Sequence, residues 1–75
     1  MERYQHLDGD SGVAFYECGP DFIRVQFRNG ATYVYDHARP GTHHVEHMKE
    51  LARAGTGLST YISQFVRALY ARKEP

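Results

Sequence analysis

The chain has 75 residues, nine of them basic and nine acidic, so its formal net charge is zero. That length gives one domain near the lower limit for a self-supporting core, since domains this small bury only about 60% of their unfolded surface. Zero net charge excludes a strongly basic, non-specific nucleic-acid binder, and a single cysteine, Cys18, excludes an internal disulfide or a multi-cysteine zinc site.

No apolar run is long enough for a membrane span, and Met1 to His6 lacks the apolar core of a signal sequence, so the expectation is a soluble, cytoplasmic chain. Residues 1–11 carry Glu2, Asp8, Gly9, Asp10 and Ser11 with little apolar content and read as a flexible lead-in, tacked to the body by Tyr4 or Leu7. Residues 12–71 read as the single folded domain. Gly12 to Cys18 is a first strand, rich in β-branched and aromatic residues. Val13 with Phe15 and Ala14 with Tyr16 are both apolar sets, so its register against the next strand stays open. Gly19-Pro20-Asp21 is a turn, and Phe22 to Phe27 or Arg28 is the second strand.

The return strand is Thr32 to Asp36. A two-residue Asn29-Gly30 turn would put Tyr33 and Tyr35 on the face of Arg24, Gln26 and Arg28. A three-residue loop, Arg28-Asn29-Gly30 with a left-handed glycine, instead pairs Val25 with Tyr33 and Ile23 with Tyr35. That register collects Ile23, Val25, Phe27, Ala31, Tyr33 and Tyr35 on one side, and one apolar face is what selects a register.

Beyond His37 to Gly41, Thr42 offers an N-cap for a helix from about His43 to Ala54. Val45, Met48, Leu51 and Ala52 share its apolar stripe, with His44 at the margin and Glu46, Lys49, Glu50 and Arg53 outside. Gly55 ends it in a left-handed conformation. In the second helix Leu58, Tyr61, Ile62, Phe65, Val66 and Leu69 recur at spacings of three and four, so one side should be buried as far as Tyr70 or Ala71, with Thr56 or Ser59 as cap. Residues 72–75 form a short basic tail. The expected fold is α+β: a three-stranded antiparallel meander followed by two helices packed on one face.

Ile23-x-Val25-x-Phe27-x-Asn29-Gly30, then Tyr33-Val34-Tyr35, then Gly57-Leu58-Ser59-Thr60-Tyr61-Ile62 and Val66 to Tyr70 occur in a specific order and spacing. In this the chain, from about Gly12 to Tyr70, resembles the KTSC domain, named after the C-terminal segment of some lysyl-tRNA synthetases and also found as stand-alone bacterial proteins. Ser59 and Thr60 depart conservatively from the family's wording, which often reads Gly-Leu-Asn-Ser-Tyr-Ile. The resemblance implies a small non-catalytic domain associated with RNA, in which Phe27, Gly30, Tyr33, Tyr35, Gly57 and Tyr61 are motif residues.

The charges are unevenly spread. Met1 to Asp36 holds six acids and three bases, His37 onward six bases and three acids, and Arg67, Arg72 and Lys73 are the charges between Gly55 and Lys73. Arg24 and Arg28, alternating with Gln26 on the sheet face away from the tyrosines, together with Arg67, Arg72 and Lys73, are the candidate contacts to backbone phosphates. Tyr33 and Tyr35 read as core that holds the helices to the sheet. His43 and His47 lie four apart on one helical face near His37 and His44, a chelating spacing, but the His-Glu-x-x-His order is absent and no metal or other cofactor is expected. Nothing marks a nucleophile elbow, a phosphate loop or an acid/base pair, so no catalysis is expected. The expected function is RNA or tRNA binding. The alternative is a protein-interaction module, an adaptor or a phage- or plasmid-encoded effector, using the exposed sheet face or an edge strand. The expected state is a monomer or a weak homodimer.

Overall fold

A computed structural model of the chain describes residues 1–5, 7 and 12–74. Among these residues the elements are β1 (Glu2–Arg3), β2 (Val13–Cys18), β3 (Phe22–Phe27), β4 (Thr32–Asp36), α1 (Thr42–Ala54), α2 (Leu58–Tyr61), which runs on into a π-helical turn (Ile62–Val66), and β5 (Arg72–Glu74). The class is α+β with two helices, and the sheet is an antiparallel one of five strands in the order β1-β2-β3-β4-β5. The expectation of a three-stranded sheet is therefore corrected.

The two added strands come from the segments read as lead-in and tail. Tyr4 is fully buried; its amide donates to the Ala14 carbonyl at 2.9 Å, and its hydroxyl accepts the Leu58 amide at 3.1 Å. One ring thus supplies hydrophobic burial and a cap for a helix start, enough to hold a two-residue strand that no periodicity announces. At the other end the Ala71 amide donates to the Val34 carbonyl at 2.7 Å and starts the pairing of β5 along β4. The lead-in's remaining residues, His6 and Asp8 to Ser11, and the tail's Pro75 lie outside the described residues.

The central hairpin has the three-residue loop. Val25 pairs with Tyr33 and Ile23 with Tyr35. The Phe27 amide donates to Ala31 at 2.8 Å, the Gly30 amide to Phe27 at 2.9 Å, and the Asn29 side-chain oxygen accepts the Ala31 amide at 3.0 Å. Gly30 sits at φ +92°, a conformation a Cβ would strain. Between β2 and β3 the open register resolves as a bulge: Val13 pairs with Phe27, but Phe15 pairs with Gln26 and Tyr16 with Val25. Ala14 is the extra residue, so Val13 and Tyr16 both face the core and Phe15 faces out.

On α1, Val45, Met48 and Ala52 are buried and Leu51 packs against them, as the stripe requires. Gly55 closes the helix at φ +76°, its amide reaching the Leu51 and Ala52 carbonyls. At the start, Gly41 rather than Thr42 occupies the cap position, with no side-chain cap. Lys49, expected on the polar side, is 4% exposed. Its ammonium donates to the Gly19 carbonyl (2.6 Å), the Pro20 carbonyl (3.3 Å) and Glu46 Oε2 (2.8 Å), so all three protons are used and the β2–β3 turn is tied to the helix.

The second helix departs from its expected stripe. Leu58, Ile62 and Val66, spaced by four, are buried, each contributing roughly 1.5–3 kcal/mol. Phe65 and Leu69 are exposed, and regular helix stops at Val66 rather than near Tyr70. The wider π turn carries residues three apart off the shared face while keeping those four apart on it. Gly57 precedes α2 and has no side chain to cap it, so the distant Tyr4 hydroxyl meets the Leu58 amide; the Ser59 hydroxyl instead accepts the Gly12 amide at 3.3 Å. No helix of the described residues is long and apolar enough to cross a membrane.

Candidate nucleic-acid interface

Alternation puts Glu17, Arg24, Val34 and Arg72 in one cross-strand row of the outer sheet face, and Arg3, Phe15, Gln26, Thr32 and Glu74 in the next. Arg24 is clamped there. Its Nη1 donates to Glu17 at 2.6 Å and its Nη2 to Glu74 at 3.1 Å, while Nε lies 3.1 Å from Glu74 without the alignment of a hydrogen bond. The hydrogen bond to Glu74 is the chief reason its guanidinium holds its proton more firmly than usual. Arg72 lies 3.6 Å from the same Glu74. The face expected to offer bare arginines is therefore a mixed-charge lattice, and Arg24 and Arg72 are separated from the other candidates.

Arg28 and Arg67, by contrast, come together on the helix side. An open groove of about 690 Å³ lies between the hairpin end of the sheet and the π turn, and both arginines line it. Phe27, Tyr33, Tyr35 and Tyr70 supply its aromatic wall, and Ser59 and Ser63 supply hydroxyls. The rings contact one another in series: Phe27 and Tyr33 at 5.6 Å between centroids, Tyr33 and Tyr70 at 4.7 Å, and Tyr35 and Tyr70 at 6.5 Å. Lys73 on β5 places its ammonium 5.7 Å from the Tyr33 centroid, within reach of a cation–π contact. Arg28 and Arg67 are the charged residues among the described lining; no carboxylate is among them.

No family model, curated protein or solved structure matches the chain. The site is read from its own geometry.

The two tyrosines of the hairpin differ. Tyr35 is fully buried, and burial, then Tyr33 and Tyr70, push its hydroxyl up to about 12. It is core that reaches the groove floor. Tyr33 is only half-buried and presents its ring to the open space. Tyr33 packs against the core as the alternation requires, but alternation assigns a face and not whether a helix covers all of it, so one side of its ring stays open to the groove. The periodicity predicts Tyr70 at the end of a helix; it lies instead in the return to β5, where it completes the wall.

The histidines form a separate surface. His44 Nδ1 is 2.6 Å from the Tyr61 hydroxyl, the His47 ring is 4.8 Å from the Tyr61 ring, and Phe65, 55% exposed, lies 4.9 Å beyond. His37 pairs with Glu46 at 2.8 Å. The described residues contain no group of three or more potential ligands able to hold a metal. Lys49 first, then His37, hold the Glu46 carboxyl below its usual range by hydrogen bonding. Cys18 is half-buried, and burial raises its thiol, which keeps it from being a ready nucleophile.

Proposed function

We propose that the chain is a non-catalytic, cytoplasmic binding module of the KTSC type that holds a single-stranded segment of RNA or tRNA in the groove between sheet and π turn. The observation that carries this reading is the composition of the wall: aromatic rings with arginines and no carboxylate among its described lining, in a chain whose total charge is zero. Bases stack on aromatic faces and phosphates seek guanidinium groups, so this pairing of residue types suits a single strand. The groove hydroxyls of Ser59, Ser63 and Tyr33 are the kind of group that meets a ribose 2′-hydroxyl. The motif residues Phe27, Tyr33 and Tyr35 line the same groove, so the resemblance and the geometry favour one place. Arg28 and Arg67 are then the phosphate contacts, with Lys73 beside Tyr33; Arg24 and Arg72 serve the sheet.

The test is a mobility shift with tRNA and with single-stranded RNA at low salt. Binding should fall steeply as salt rises, and Arg28→Glu with Arg67→Glu should weaken it roughly a hundredfold. No retardation of either RNA at low salt would end the proposal.

A second reading, a protein-interaction module, has its own observation in exposed Phe65 beside Tyr61 and His47. It predicts partner binding that is insensitive to salt and lost in Phe65→Ala. The sheet edges favour a monomer over a strand-paired dimer, because β1 has two residues and β5 three, and short edges are poor templates.

A further inference from the structure

Arg28 borders a second depression as well as the groove. This one, of about 320 Å³, is lined by Arg3, Tyr4, Val13, Ala14, Phe15 and Arg28. It follows from the bulge. Strict alternation from buried Val13 would send Phe15 inward, but the extra residue, Ala14, turns it to the outer face, across from Arg3 on β1. Phe15 is consequently a 39% exposed ring beside its cross-strand partner Arg3, on the rim of a depression that Arg28 also lines. Again the charged residues of the described lining are arginines.

We propose that the ligand is a polynucleotide strand longer than the groove itself, which crosses Arg28 at the hairpin end of the sheet and continues into this second depression. There Phe15 stacks a base and Arg3 meets a phosphate. The inference rests on the groove being the RNA site and adds the class of ligand: a strand spanning two linked subsites, not a mononucleotide or a dinucleotide. Between them the two linings, joined at Arg28, hold the cations Arg67, Arg28 and Arg3 and the rings of the groove and Phe15, and a single strand offers phosphates and bases to such groups. Two subsites joined by one strand add their binding free energies at little further entropic cost, so affinity should climb with strand length.

The experiment compares diuridylate and octauridylate on the full chain by fluorescence anisotropy, for the wild type, Arg3→Gln and Phe15→Ala. The octamer should bind the wild type at least about tenfold more tightly than the dimer. Phe15→Ala should cost the octamer about tenfold and leave the dimer unchanged; Arg3→Gln should act in the same sense, by less. Amide resonances of Arg3, Ala14 and Phe15 should move with the octamer and not with the dimer, a readout that needs no variant. If Phe15→Ala binds the octamer as the wild type does, or the three resonances stay fixed on saturation, the second subsite is refuted while the groove stands. If neither oligonucleotide binds the wild type, the groove reading fails and takes this one with it.

Discussion

The outer sheet face and the groove both carry arginines but give them different surroundings. Arg24 and Arg72 share one row of the outer face, with Arg3 in the next row, and Arg28 and Arg67 line the groove. Outside, Glu17 lies 2.6 Å from Arg24, and Glu74 lies 3.1 Å from Arg24 and 3.6 Å from Arg72, so positive charge is cancelled where it arises. In the groove the described lining has no carboxylate, and rings take its place. A net charge of zero is thus a sum over unlike surfaces and says little about any one of them. Where an arginine's neighbours come from decides its role: Glu17 is the direct cross-strand partner of Arg24, but Glu74 arrives from β5, fifty residues further on.

The sharpest way to break this contrast is to neutralise one arginine on each side. Arg67→Gln should cost about tenfold in RNA affinity with little change in Tm, because its side chain is exposed. Arg24→Gln should do the reverse, lowering Tm by several degrees through loss of its two carboxylate partners while affinity stays within about twofold. Anisotropy and calorimetry on both variants read the crossing. Equal affinity losses would return the outer face to candidacy.

A smaller effect is expected from unmasking the outer face. Glu17→Gln combined with Glu74→Gln removes the carboxylates that pair with Arg24 and Arg72. The sheet should lose stability, and RNA affinity at low salt should rise roughly twofold to threefold, an increase that vanishes at physiological salt as screening takes over. An unchanged affinity at low salt would show that the row of Arg24 and Arg72 is too far from the bound strand to be felt.

What was legible in the sequence was what local pattern controls. The hairpin register followed from the requirement for one apolar face, the α1 stripe from Val45, Met48 and Ala52, and the helix end from Gly55. What escaped was non-local or aperiodic. Two residues of β1 and three of β5 are too short to show alternation, and each is held by a distant partner: Leu58 for Tyr4, Val34 for Ala71. The bulge at Ala14 broke the alternation that would have placed Phe15, and the π turn broke the helical period that would have buried Phe65. Lys49 looked like surface because its acceptors, the Gly19 and Pro20 carbonyls, belong to a turn thirty and twenty-nine residues away. The groove inherits these gaps. Its arginines stand among the sequence's candidates, but Tyr33 reads there as core, and its shape depends on where the second helix stops and on the route by which Tyr70 returns.

The subtlest expected difference lies between Tyr33 and Tyr35, two residues apart on the same strand face. Tyr35 is neutral when protonated, and burial raises its hydroxyl from an ordinary 10 to about 12. In the unfolded chain it would ionise near its ordinary value, so its contribution to stability is complete below pH 10 and is lost as pH climbs through 12. The loss should be on the order of 2 kcal/mol, with one phenolate absorbance step delayed toward pH 12. Tyr35→Phe keeps the ring and should remove both that step and the alkaline loss. Tyr33→Leu should leave the late step in place, since Tyr33 is a smaller cause of the Tyr35 shift than burial, and should weaken RNA binding about fivefold. If no tyrosine titrates late, Tyr35 is as open as Tyr33. The groove floor would then be wet, and the division of one motif into a ring that holds the core and a ring that meets the ligand would fall.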